Sequence, residues 1–303
     1  IARTPLISVK RVAPRTRPIA LAIDGNQGRA GRLVYGFLSQ REVQLMRPTD
    51  TPKVRALPMF ASVSDETFNR VTGTAYLQRF PANTTLLLEG DPVDFLYVVL
   101  DGQVELQGTW KDKETTLAIL RPVSTFILAA IVLDADALMS ARTLERSEIL
   151  MISGDAIRAA MAEDARFAVA VARELSGCYR GLVRTIKNQK LRGGVERLAN
   201  YLLTLRAKTG GGDLVQLPHE KRVLAALLGM TPENLSRAFA TLGGYGVEVN
   251  GAGVRLGKLR DLERLARPDP LIDNHAPRGL NLSAEADAEI WSTEYQRAGG
   301  RAP

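Results

Sequence analysis

Three side chains stand in the order E-x-x-S-R: Glu233, Ser236 and Arg237, within TPENLSRAFATL at residues 231–242. Steps of three and four place all of them on one face of a helix. Arg can donate two parallel bonds to guanine, Glu can accept from cytosine N4, and a hydroxyl serves either role. This is chemistry for reading base edges. Lys221, Arg222 and the Thr231 hydroxyl suit phosphate, which positions a protein on DNA without specifying sequence.

Such residues need a rigid mount, and the flanking sequence supplies one. Residues 217–242 read as two short helices joined by a tight turn. The first, about 220–228, carries Val223, Leu224, Leu227 and Leu228 on one stripe. Gly229 follows as a C-cap that turns with positive φ. Thr231 is then an N-cap, Pro232 the first helical residue, and Glu233 an acid in the first turn. The second helix buries Leu235, Ala238, Phe239 and Leu242, leaving the reader residues outward near its N-terminus, as in a helix-turn-helix. Five glycines (243, 244, 246, 251 and 253) punctuate Val247-Glu248-Val249 and Val254-Arg255-Leu256. That pattern predicts a hairpin, the wing of a winged helix.

Charge follows the same division. Residues 1–55 carry 11 Lys/Arg against 3 Asp/Glu, and residues 190–268 carry 13 against 7. Residues 269–303 carry 3 against 6, and the middle of the chain is net acidic. A basic module attracts phosphate by counterion release. No apolar run reaches 18 residues, so no membrane span is expected. One cysteine, Cys178, leaves no internal disulfide and no four-cysteine metal or iron–sulfur site. A reduced, cytoplasmic protein fits this composition.

At 303 residues there is room for two domains. Residues 1–55 lack periodicity and are expected to form a basic, disordered extension, with one helix near 33–45. Residues 56–163 form the expected sensor domain. Its start is helical, with Ser64 as N-cap and Phe60, Val63, Phe68 and Val71 packing. Short strands then recur at 78–80, 84–88, 95–100, 103–108, 115–120, 141–144 and 148–152, a spacing that suggests a small barrel or jelly roll. The apolar run 126–133 reads as buried strand or helix. Residues 164–191 give one long amphipathic helix, with Phe167, Val171, Leu175, Cys178, Leu182 and Ile186 stepping by three or four along a predicted dimer seam. Residues 192–268 make the DNA-binding domain. Residues 269–303 read as a tail.

In this order the elements resemble the Crp/Fnr family of bacterial transcription regulators over about residues 57–267. LLLEGDPVDFLYVVLDGQVEL at 86–106 is similar to the family's β-roll signature, VERLANYLLTL at 195–205 to the helix after its dimer helix, and TPENLSRAFATL to its recognition helix. The resemblance implies an α+β fold: an N-terminal cyclic-nucleotide-binding-type β-roll, a long dimerisation helix and a C-terminal winged helix-turn-helix. It also implies a homodimer on a two-fold site in double-stranded DNA, with RNA polymerase as a further partner. The E-x-x-S-R pattern implies half-sites like TTGAT and resembles, with its Thr-Pro-Glu start, the cysteine-poor denitrification regulators that respond to nitric oxide.

The departures concern the effector. Members that bind cyclic AMP use a Gly-Glu pair and an Arg-Ser pair; here the region reads STFILAAIVLDADALMSARTL, and Ala137-Leu138 stand near the Arg-Ser position. Cyclic AMP is therefore disfavoured, since a buried phosphate would lack its cation. The iron–sulfur branch needs several cysteines and is disfavoured too. Haem stays open as a cofactor. Its ligand candidates include His219, before the first helix of the DNA module, His275 in the tail, and Cys178. No nucleophile–base pair, phosphate loop or zinc helix is visible, so an enzyme is not expected. The competing reading is a ligand-binding module whose helix-turn-helix serves protein contacts; the reader residues argue against it.

Overall fold

A computed structural model of the chain describes residues 45–111 and 113–273. Two short helices come first, α1 (Thr51–Arg55) and α2 (Asp65–Thr72). The Ser64 hydroxyl caps α2 by accepting from the Thr67 amide at 3.2 Å. Strands β1 (Tyr76–Phe80), β2 (Thr85–Leu87), β3 (Phe95–Asp101), β4 (Val104–Trp110), β5 (Lys113–Leu120) and β6 (Ser124–Phe126) follow. Helix α3 (Leu128–Leu133) then leads to β7 (Ser140–Thr143) and β8 (Ser147–Ser153). They form two antiparallel sheets, ordered β1-β8-β3-β6 and β2-β7-β4-β5.

The roll buries Leu96, Val98, Leu106, Leu120, Ala141 and Leu150 between its sheets. Strand β3 is covered on both faces, which is why its sequence runs apolar without alternation. The apolar run at 126–133 divides into the end of β6 and helix α3. Strand β6 was not expected: three residues, two of them polar, are too few to carry a periodic signal of their own.

Helices α4 (Gly154–Glu163) and α5 (Ala165–Leu191) come next, with Asp164 capping α5 by accepting from the Arg166 and Phe167 amides. Arg192 and Gly193 are extended and separate α5 from α6 (Gly194–Lys208). The second domain continues with β9 (Leu214–Gln216), α7 (Lys221–Leu227), α8 (Pro232–Gly243), β10 (Val247–Asn250), β11 (Gly253–Leu256), α9 (Leu259–Ala266) and α10 (Pro270–Asp273). It has its own core, in which Leu198, Leu202, Leu224, Leu235, Leu242 and Val254 meet.

Three expectations are corrected. First, residues 45–55 belong to the folded domain and not to a disordered extension. Leu45 bridges to Tyr76, the Met46 amide donates to the Ala75 carbonyl at 2.9 Å, and Val54 is fully buried. The Arg55 guanidinium also donates to the carbonyls of Phe60 and Val63. Residues 1–44, with nearly all of the helix expected near 33–45, lie outside the described residues. Second, residues 270–273 fold as helix α10, which packs against α5 with Ile272 buried. The rest of the expected tail, including His275, lies outside the described residues.

Third, Phe167 and Val171 are not free for a dimer seam. Both are fully buried in the roll's own core, with Leu175 packed against it. Leu182 and Ile186, farther along α5, are 49% and 48% exposed, and Cys178, one turn before Leu182, is half-buried. Among the described residues no helix is long and apolar enough to cross a membrane.

Candidate nucleic-acid interface

The turn between α7 and α8 is built as its residue types require. Gly229 takes φ +63°, where an L side chain is strained. The Thr231 hydroxyl accepts from the Asn234 amide at 3.3 Å, and Pro232 occupies the first turn. Helix α8 then buries Leu235, Ala238, Phe239 and Leu242. Those contacts fix its roll angle, so Glu233, Ser236 and Arg237 all face outward and exposed.

Electrostatics keep this face charged. The Glu233 carboxyl is held below its usual range, chiefly by its own backbone amide at the helix start, then by the Thr231 hydroxyl and the Arg237 charge. It is thus an ionised acceptor at neutral pH. The Ser236 hydroxyl donates back to the Pro232 carbonyl at 3.0 Å and keeps lone pairs free to accept. Lys221 and Arg222, at the start of α7, are exposed, as is Thr231.

The wing is a three-stranded sheet, β10-β11-β9. Glu248 pairs across it with Arg255, and both side chains are exposed. Gly246 starts the wing at φ +78°, and a Cβ there would lie 2.7 Å from the Lys258 backbone nitrogen. No other residue fits without moving the wing.

The module rests against the roll. His219 Nε2 lies 3.4 Å from Arg121 Nη2 at the end of β5. Burial, then the Arg121 charge, bring the His219 pKa down to about 4, with Glu105 pulling the other way. Glu105 is itself buried in β4, where it accepts from Arg142 at 2.8 Å, Thr116 at 2.5 Å and Gln107 at 3.1 Å. Tyr201, on α6, has its pKa pushed up to about 12 by burial. Sequence reasoning missed Arg121, Glu105, Arg142 and Tyr201. Contacts between domains, as at Arg121, and between paired strands, as at Glu105 and Arg142, leave no local periodicity, although a Glu between Val104 and Leu106 was a signal.

Two further regions lie apart from this module. The turn after α3, residues 134–139, carries Asp134 and Asp136 and no basic side chain. Arg158 of α4 approaches it but is engaged with the Ile131 carbonyl, Asp134 and Asp155. On α5, Tyr179, Leu182, Val183 and Ile186 are all exposed. Steps of three and four place them on one face, which continues the Phe167–Val171 stripe along the helix and drifts from it by about a quarter turn. Tyr179 and Val183 were absent from the expected seam, though their spacing was readable.

Residues 77–164 match the family model described as a cyclic nucleotide-binding domain, and residues 196–267 match that of a Crp-like helix-turn-helix domain. Together these take in more than half of the chain. The chain belongs to the Crp/Fnr family. This Crp/Fnr member is 26% identical over 194 residues to a CRP-like cAMP-activated global transcriptional regulator of Mycobacterium tuberculosis, an alignment covering 62% of this chain and 85% of that protein. Its fold is similar to that of a Crp/Fnr-family regulator from Eubacterium rectale, at TM-score 0.59 and 16% identity, covering 71% of this chain and 100% of that one. FixK2 from Bradyrhizobium japonicum superposes at TM-score 0.55 and 20% identity, covering 64% and 98%. As a Crp/Fnr regulator the protein has the β-roll, the long helix and the helix-turn-helix DNA-binding domain that its sequence implied.

Proposed function

We propose that this regulator is cytoplasmic and binds a palindromic DNA site as a homodimer, reading base edges with Glu233, Ser236 and Arg237. The observation that carries the reading is the outward face of α8. A capped helix start sets an ionised carboxylate, a hydroxyl and a guanidinium side by side, with a wing next to them. Arg237 donates to guanine and Glu233 accepts from the opposing cytosine, with Ser236 assisting nearby. Lys221, Arg222 and Thr231 meet phosphate. The half-sites resemble TTGAT, and RNA polymerase is the further partner.

The homodimer seam of this proposal is the exposed face of α5, made by Tyr179, Leu182, Val183 and Ile186. An unpaired apolar face of this kind favours burial against a second copy at about 25 cal/mol per Å². The site of two-fold DNA then follows from the symmetry of the pair.

The controlling signal enters at the β-roll and α5, and it is not cyclic AMP. The M. tuberculosis relative is named as cAMP-activated. In this chain a cyclic phosphate beside the turn at 134–139 would meet two carboxylates, while Arg158 is already engaged and Arg142 is paired with Glu105. A buried phosphate needs a cation that this donor set does not offer. Kinship with the nitric-oxide-responsive branch, with haem as its cofactor, is the finer reading; a Soret band in the freshly purified protein tests it.

The reading of α8 is tested by titrating half-site variants at fixed salt. Loss of affinity confined to one base pair on replacing Arg237 supports base readout. Equal loss for every sequence makes Arg237 a phosphate clamp and overturns it.

A further inference from the structure

The break between α5 and α6 is two extended residues, Arg192 and Gly193. A break this short could act as a free joint, but here it is braced from two sides. The Arg197 side chain donates to the Arg192 carbonyl at 2.6 Å and to the Leu228 carbonyl at 2.8 Å, tying the break to the turn of the helix-turn-helix. The Arg192 side chain points the other way. Its two terminal nitrogens reach the two oxygens of Asp273, at 2.5 Å and 2.6 Å, and one also meets Asn188 at 3.2 Å.

Three features set this pair apart from an ordinary surface bridge. The side chains are only 7% and 15% exposed. The contact is bidentate, the geometry in which Arg and carboxylate bind most specifically. And the carboxylate is itself positioned: the Asp269 amide donates to Asp273 at 2.7 Å, the Asp269 carboxylate accepts from the Leu271 amide at 2.7 Å, and Ile272 is buried. Asp273 lies beyond the winged helix, past the end of the region matched by the Crp-like helix-turn-helix domain at residue 267. Nothing in DNA reading itself calls for it.

We propose that Asp273 and Arg192 are positioning residues: their clasp fixes the angle between α5 and the DNA-binding domain, and so selects the spacing between half-sites. This rests on the homodimeric DNA reading above. In a dimer joined along α5, that angle sets how far apart the two copies of α8 stand, and one helical turn of DNA, about 10 bp, must match it. A fixed joint selects one spacing. A loose joint accepts several at a lower peak affinity.

The test uses the full chain and needs two arms. In the first, duplexes carry inverted TTGAT half-sites whose spacing is stepped by single base pairs. The wild type is expected to prefer one spacing over its neighbours by about tenfold or more, and Asp273→Asn to cut that preference to about threefold or less. Arg192→Lys keeps the charge but cannot make the paired bonds, and is expected to flatten the preference as well. The second arm needs no DNA. Trypsin cuts after Arg192, whose side chain the clasp encloses. Asp273→Asn should cleave at this bond about tenfold faster than wild type, with the melting temperature of the remaining structure held.

If the wild type selects a spacing and Asp273→Asn keeps that selection, the clasp does not set it and the proposal is overturned. If the wild type binds none of the duplexes, the DNA reading fails instead. Equal cleavage of wild type and variant at Arg192 overturns the clasp whatever the DNA result.

Discussion

Phe167 stacks on Phe60, their ring centroids 6.1 Å apart and their planes 7° from parallel. The root of the long helix is thereby part of the sensor's own core, and only its later turns are available to a partner. The two stretches of one helix should therefore fail in different ways. Phe167→Ala should cost about 3–5 kcal/mol of stability, as for a fully buried aromatic ring. Urea unfolding would register it as a lower midpoint at an unchanged slope. Ile186→Glu should leave the folded protomer intact and shift sedimentation toward monomer. A dimer that persists in that variant would remove Ile186 from the seam.

On α8 the expected losses differ in kind. Arg237→Ala should cost about 1–3 kcal/mol and relax preference at one base pair. Lys221→Ala should weaken all sequences alike and reduce the salt slope by about one. Fluorescence anisotropy at several salt concentrations separates the two.

How much of this was legible beforehand varies with the range of the interactions. The caps at Ser64 and Thr231 and the turn at Gly229 were readable because each depends on residues within one turn of itself. The inner strands were found by their turn residues more than by alternation, since β3 is buried on both faces. What escaped was long-range. Residues 45–55 are held by contacts far along the chain: Leu45 bridges to Tyr76, and Lys53 meets Glu148 across 95 positions. Arg192 and Asp273 meet across 81 positions of sequence. The stripe on α5 misled because one periodicity runs the length of the helix, while its first turns are buried inside the chain.

For the effector, calorimetry with cyclic AMP should give no binding at micromolar concentrations, and DNA affinity should not change on adding it. The reason is the pair of carboxylates at Asp134 and Asp136 where a cation would be needed. Micromolar heat of binding would show that Arg158 or Arg142 can leave its present partners.

His219 gives a pH dependence of definite sign. Its pKa falls from the ordinary 6.5 to about 4 in the folded protein, through burial and the neighbouring Arg121. The unfolded chain therefore takes up its proton first. The stability His219 contributes is fully present above pH 6.5 and is lost as pH falls toward 4. His219→Gln should flatten the stability profile across that window. An identical acid limb in the variant would place the titrating group elsewhere.

The 27 residues of α5 make a rod about 40 Å long, at about 1.5 Å per residue. One end is set in the sensor by Phe167 and the other meets the DNA module at Arg192. Such a rod multiplies angle into distance. A tilt of about 5° at the root carries the far end through about 3.5 Å, close to the rise of one base pair. A rearrangement in the roll too slight to open a cavity could thus put the protein in or out of step with its operator.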